Sequence, residues 1–287
     1  MMGFDDYMDQ AGLLYNASPA GTRDCGDSAQ MTGLLRFGKW LAAPDQTAKD
    51  KQQYKLEQEL DILTYTEGSN GHLLASSNTE IKAYPGIYVR HPKACYPTWA
   101  YNPHCFSRDQ QRSITIAMGA MKQKKRLKEI LWQQIKRWGW YQNDQQIDGT
   151  PITPDFPGLD IVGEYIRAFY MAGLWPVVCL YPLLFFTDLY ALAAMMVNFI
   201  AWNNPNTWWD YYNSDDDNLI MAVLQAKKAL PTPISLLLRK IYKHYRPIAG
   251  HINGMNGPAS AMTYKHRQET GSPPFASLWV PILTQEL

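Results

Sequence analysis

Cysteine is scarce, with four in 287 residues. Cys25, Cys95, Cys105 and Cys179 are too few and too scattered for a disulfide framework, so reduced thiols are expected, and a Cys95 to Cys105 bridge would need an oxidising compartment. Charge of one sign is also lacking: 27 basic side chains face 26 acidic ones. Outside KQKKRLK at Lys122 to Lys128 there is no basic stripe of the kind that phosphate backbones require, and no nucleic acid partner is expected. The opening residues, MMGFDDYMDQAG, hold no basic segment leading into an apolar one, so cytoplasmic synthesis without a signal peptide is expected. There is no P-loop, no GxGxxG after a strand, no GxSxG elbow and no HExxH, and no cofactor is expected. Phe is outnumbered as well, nine against ten Trp and eighteen Tyr. Trp and Tyr carry a polar atom that wants a partner or water, which favours wet aromatic surfaces over a dry core.

What is present suits one helical domain spanning residues 1–287, since 46% apolar content is ample for a core at this length. After Asp24, an N-cap candidate, CGDSAQMTGLLRFGKWLA sets Met31, Leu34, Leu35 and Trp40 at helical spacing, with Asp27 in the first turn. Lys49 to Leu63 is charged with a sparse apolar stripe and reads as an outer helix. Ser107 with Gln110 forms a capping box before a helix carrying Ile114, Met118 and Met121, and an amphipathic piece continues through Leu127, Ile130, Leu131 and Ile135. Further helices are expected in LDIVGEYIRAFYMAG, in LIMAVLQAKKAL and, opened by Thr232 and Pro233, in ISLLLRKIYKHY.

Residues 66–106 show no helical periodicity, and excursions of that length are usually binding loops, lids or hairpins. Leu73 and Leu74 could pair with Ile87 to Val89 as short strands. His91, Cys95, His104 and Cys105 are ligand types that zinc accepts. Adjacent His104 and Cys105 would strain a tetrahedral site and there is no CxxC, so no metal is expected. Trp99, Tyr101 and Phe106 are instead expected to pack as a lip, with Arg90 or His91 facing a mouth beneath it; Arg would favour an acidic or phosphorylated ligand.

Between Arg167 and Asp188 lie twenty uncharged residues, long enough to span a bilayer. Pro176 and Pro182 interrupt helix hydrogen bonding, and a second apolar run follows Asp188 directly. A buried helix pair at the centre of a soluble domain fits better, with membrane association through residues 168–202 as the less favoured alternative.

Four helices begin at acidic or amide-bearing stretches: RDCGDSAQ, FSRDQQ, FPGLDIVGE and NSDDDN. Each taken singly is explained by capping and by the helix dipole. As a series it points to more: if alternate helices pack as an inner ring, their starts share one mouth. In this the chain resembles the α/α toroids of carbohydrate-active enzymes, including inverting glycosidases and glycuronyl hydrolases, over about Asp24 to Tyr245. A full ring of six hairpins usually takes a longer chain, so the resemblance implies a mainly α, shortened or incomplete ring. RHP followed by FSRDQ is also similar to bacteriophage-encoded proteins of no assigned activity.

The resemblance implies paired carboxylates across a groove lined with Trp and Tyr. Glycoside hydrolysis needs one protonated acid for the leaving oxygen and one carboxylate to activate water or attack the sugar. Asp109 and Asp27, near helix N-termini that lower a carboxyl pKa, suit the base role. Glu164, on an apolar helix, is the acid candidate, although Arg167 is spaced to hold it in a structural ion pair. Sugar contacts are expected from Arg90, His91, Trp99 and Tyr101, and from Arg108 and Gln110 beside Asp109. In WWDYYNSDDDN, Trp208, Trp209, Tyr212 and Asp216 combine aromatic plates with carboxylates, which suits the apolar faces and hydroxyl edges of an oligosaccharide or polysaccharide. A loop merely covering the apolar helices explains the same stretch nearly as well. Two function classes follow: a glycan-acting hydrolase, or a non-catalytic structural or glycan-binding protein such as a virion component.

Overall fold

The computed structural model describes residues 8–17, 23–26, 28–66, 83–92, 108–136, 159–202 and 229–245. Within them the protein is mainly α. The elements are β1 (Asn16–Ala17), β2 (Arg23–Asp24), α1 (Ser28–Leu41), α2 (Gln46–Leu63), β3 (Thr64–Thr66), β4 (Ala83–Tyr88), α3 (Arg108–Ala120), α4 (Lys124–Lys136), α5 (Leu159–Met171), a 3-10 helix (Trp175–Leu180), α6 (Tyr181–Trp202) and α7 (Pro233–Tyr245). The strands form two antiparallel pairs, β1 with β2 and β3 with β4.

Local chemistry sets most boundaries. Asp45 caps α2 by accepting from the Ala48 amide at 2.8 Å, which starts that helix three residues before Lys49. Asp24 lies in β2, paired along the backbone with Asn16 of β1, and α1 begins only at Ser28, so Asp24 does not stand at the N-cap position. Between α3 and α4 the Gln123 amide reaches back to the Met118 carbonyl at 2.8 Å and Lys122 adopts φ +57°, so a Schellman turn separates what periodicity reads as one continuing helix. Thr232 and Pro233 do open a helix: the Thr232 hydroxyl accepts from the Ser235 amide at 3.0 Å. Ile87 and Tyr88 lie in a strand, but its partner is Thr64–Thr66; Leu73 and Leu74 lie outside the described residues, as does the expected helix LIMAVLQAKKAL.

The core centres on α1 and α3. Met31, Leu34, Ile114 and Met118 are fully buried, and Leu56, Leu60 and Leu63 of α2 and Leu127 and Ile130 of α4 close over them from outside. Leu131 and Ile135 of α4 stay exposed. Glycine permits the central crossings. A Cβ on Gly33 of α1 would lie 2.4 Å from the Ser113 carbonyl carbon of α3, and one on Gly119 of α3 would lie 2.7 Å from the Cα of Ala168 on α5. The Gly26 carbonyl just before α1 accepts from Gln110 at the start of α3, and Arg112 of α3 meets Glu164 of α5. Contacts therefore advance together along both members of each pair: α1, α3 and α5 run side by side in the same direction.

Buried ion pairs tie neighbours together. Arg36 of α1 holds both carboxylate oxygens of Glu59 on α2, and Arg167 of α5 holds Asp188 of α6 in two bonds of 2.9 and 2.7 Å. Thr232 adds a hydroxyl to the same carboxylate, joining α7 to the series. Among the described residues no substantial contact closes α2, α1, α3, α5, α6 and α7 into a ring.

The apolar stretch 168–202 is not a central buried pair. It comprises the end of α5, a turn at Gly173, the 3-10 helix and α6. Pro176 lies in the 3-10 helix and Pro182 in the first turn of α6, where a missing amide costs little. Leu184, Thr187 and Asp188 face inward, while Trp175, Phe186 and Tyr190 are more than half exposed. Among the described residues no helix is long and apolar enough to cross a membrane.

Two predictions follow from this packing. Gly33→Ala should cost about 3 kcal/mol, because the added methyl meets backbone that cannot rotate away; chemical denaturation showing under 0.5 kcal/mol would refute the close crossing. Burial, outweighing the Arg36 guanidinium, raises the Glu59 carboxyl above its ordinary 4.5. The folded chain then binds this proton more tightly than the unfolded chain, so the contribution to stability is full below pH 4.5 and is lost as pH rises through the raised value. Wild type should gain stability relative to Glu59→Gln as pH falls toward 4.5 in parallel melting curves, and a pH-independent gap would contradict it.

Candidate functional site

The shared direction of α1, α3 and α5 brings their N-terminal ends to one side of the molecule. Gly26 is the meeting point there. Its carbonyl accepts from the Gln110 side-chain amide at 3.2 Å and, at 3.4 Å, from the Arg90 guanidinium. The backbone follows suit, because the Ala29 amide at the start of α1 donates to the Arg90 carbonyl at 3.1 Å. The chain leaving β4 is thus laid against the mouths of α1 and α3.

The first turns of α3 are unusual for a central helix. Gln110, Gln111, Arg112, Ser113 and Thr115 are all buried, where periodicity alone would place apolar residues. Among the described residues the hydroxyls of Ser113 and Thr115 find no hydrogen-bond partner. Buried polar groups are costly unless paired, and Gln110 and Arg112 meet that requirement through Gly26 and Glu164.

Glu164 stands at the centre of this polar layer. Its Oε2 accepts from Arg112 Nε at 2.7 Å, with both residues buried. The expected partner, Arg167, turns to Asp188 instead, because α6 packs against that face of α5 and supplies a bidentate carboxylate. Glu164 therefore holds α5 to α3 through a contact no helical spacing could reveal.

His91 is corrected more sharply. It is fully buried, so it cannot face a mouth; Nε2 is bonded to the Asp9 carboxylate, and Nδ1 finds no hydrogen-bond partner among the described residues. Asp9 is itself held by the amides of Ala11 and Leu13, at 2.8 and 3.0 Å, in a turn completed by Gly12 at φ +76°. Cys25 lies beside them, its sulfur within 4.8 Å of an Asp9 carboxylate oxygen and a His91 ring nitrogen. Cys25 is disulfide-bonded rather than reduced, whereas Cys179 is free and exposed. The Asp9 and Cys25 contributions were invisible to local spacing, although the Asp-x-x-Gly turn is a readable sign that Asp9 is fixed.

Of the remaining expected site residues, Arg108 and Asp109 occupy the first turn of α3 by backbone position, beside Gln110, and their side chains are outside the description. Asp27, Trp99, Tyr101, Trp208, Trp209, Tyr212 and Asp216 lie outside the described residues. A separate open groove of about 390 Å³ between β4 and α4, lined by Pro85, Lys125, Lys128, Glu129, Trp132 and Gln133, was not expected. Comparison with protein-family models, curated proteins and solved structures finds nothing that matches this chain.

The Arg112–Glu164 pair generates a prediction. Glu164→Gln removes the carboxylate charge that faces the buried Arg112 guanidinium and should cost about 3–5 kcal/mol, while the double replacement Arg112→Met with Glu164→Leu should recover most of it. Urea unfolding of the three proteins measures this; equal losses for single and double variants would mean that the pair is not the source.

Proposed function

We propose that this protein is a glycan-acting hydrolase whose carboxylates stand at the N-terminal ends of parallel helices. The observation that carries the reading is that α1, α3 and α5 start on one side of the molecule, where the α1 and α3 starts and Arg90 meet at Gly26 above a buried polar layer. Helix N-termini stabilise an ionised carboxylate, so Asp109 in the first turn of α3 is suited to act as the base that activates water or as the attacking group. Arg90, only partly buried, supplies a donor for sugar hydroxyls or an acidic sugar substituent, whereas the Gln110 side chain expected to do the same is buried against the Gly26 carbonyl. Glu164 does not serve as the acid in this reading, because Arg112 already uses its carboxylate within the protein. The acid then comes from Asp27 or from another carboxylate of the same mouth.

A second reading rests on a different observation: Trp175, Phe185, Phe186 and Tyr190 expose large apolar area on one stretch of chain. Such a surface suits permanent contacts in an assembly, as in a structural component of a virus particle. The two readings part at Asp109. Wild type and Asp109→Asn are assayed against a broad oligosaccharide and polysaccharide panel for reducing-end release and thermal shift. Release by wild type alone, with unchanged folding of the variant, is the expected result. Thermal shift without release makes the protein a glycan-recognition module, and silence in both assays from a folded protein favours the assembly role.

A further inference from the structure

The surface formed by the 3-10 helix and the first turns of α6 is inverted with respect to water. Trp175, Val178, Leu180, Phe185, Phe186 and Tyr190 are exposed, whereas Thr187 and Asp188 are buried. Asp188 is held from within by the Arg167 guanidinium and the Thr232 hydroxyl. Apolar side chains outward, with the charge paired inside, suit an apolar surrounding and leave a large unfavourable area in water. The start of α7 extends the same surface. The Tyr181 hydroxyl donates to the Pro231 carbonyl at 2.8 Å, which draws that start against α6, and Leu236 and Leu237 are exposed within the next turn.

Charge indicates what covers it. The stretch from Trp175 to Tyr190 and the whole of α7 contain one acid, Asp188, and that acid is buried. Cations stand at both ends. Exposed Lys124 lies beside Gly173, where a Cβ would stand 3.9 Å from its Nζ, and exposed Lys240 follows Leu236 and Leu237 by one turn of α7. A second copy docked about a twofold axis would set these cations against the same cations, with no acid among the described residues of the surface to pair them. An anionic bilayer matches both features: its acyl chains take the apolar side chains and its headgroups take the ammonium groups. The rings of Trp175, Tyr181 and Tyr190 also suit the interface, because each joins an apolar body to a polar atom.

We propose that this surface docks the protein on an anionic lipid bilayer, with Trp175, Phe185 and Phe186 inserted at the headgroup boundary and Lys124 and Lys240 on anionic headgroups. The contact is one-sided, since no helix among the described residues is long and apolar enough to cross. It is independent of the glycan reading, because the mouth at Gly26 takes no part in it. A permanent contact with protein becomes the competing outcome for the same side chains.

The test uses the full chain with vesicles of phosphatidylcholine alone and of equimolar phosphatidylcholine and phosphatidylserine, read by co-sedimentation. Cys179, free and exposed within the surface, carries an environment-sensitive maleimide, and Cys179→Ser treated in the same way is the blank. The chain should bind the phosphatidylserine vesicles, lose binding as salt is raised, and have its Cys179 probe quenched by bromine on the upper acyl chains. Trp175→Ser with Phe186→Ser, both at exposed positions, should weaken binding more than about tenfold with secondary structure retained by circular dichroism. Lys124→Gln and Lys240→Gln should each weaken binding to the mixed vesicles about fivefold. Absence of binding, equal binding to both vesicles, or binding unmoved by the aromatic pair overturns the proposal. A folded chain that instead self-associates through the same aromatics hands the surface to a second copy. A Cys179 that takes up no maleimide in the folded chain also overturns the proposal, since the surface is then covered from within.

Discussion

The described fold depends on the close approach of α1 to α3 and of α3 to α5. Gly33 and Gly119 make that approach possible, because any side chain at either position would collide with the backbone or Cα of the next helix. With the axes this near, α1 and α3 have little surface left for water. Their buried charges then need partners inside, and Arg36 of α1 and Arg112 of α3, like Arg167 of α5, each meet a carboxylate on a neighbouring helix. Packing and electrostatics here are one constraint: the glycines bring the helices together, and the ion pairs set their register.

That register explains the candidate site. Side-by-side helices running in one direction place their positive ends on the same side, and positive ends attract carboxylates. The same geometry would arise in any fold with parallel inner helices, so it supports a site without specifying its chemistry. What distinguishes this protein is the polar character of α3 just below its mouth and the way the segment after β4 is drawn against Gly26. Glu164, the acid candidate, is paired with Arg112 across the α3–α5 contact.

Much of the fold was legible. Helical periodicity located α1, α2, α3 and α5, and the Thr232–Pro233 start of α7 followed from capping chemistry alone, because such signals act within one turn. Boundaries that depend on competition were missed: Asp24 is taken by strand pairing with Asn16, and the helix at Lys122 ends in a Schellman turn without glycine. The long apolar stretch was read as central because composition reports how apolar a segment is and not which side faces inward. Its outward aromatics and inward Asp188 reverse the usual arrangement.

The candidate site was less legible, and the reason is sequence distance. Helix starts bearing acids can be read from short words such as FSRDQ, and so can the idea that they share an end. The partner of Glu164 lies 52 positions away and that of His91 lies 82 away, and no local rule connects them. The sequence by itself determined the helical class, the element starts and the residues able to do chemistry. Only the tertiary structure decided which carboxylate is committed to an arginine, which histidine is sealed from solvent and which cysteine stands beside it, because burial and pairing belong to segments brought together by folding.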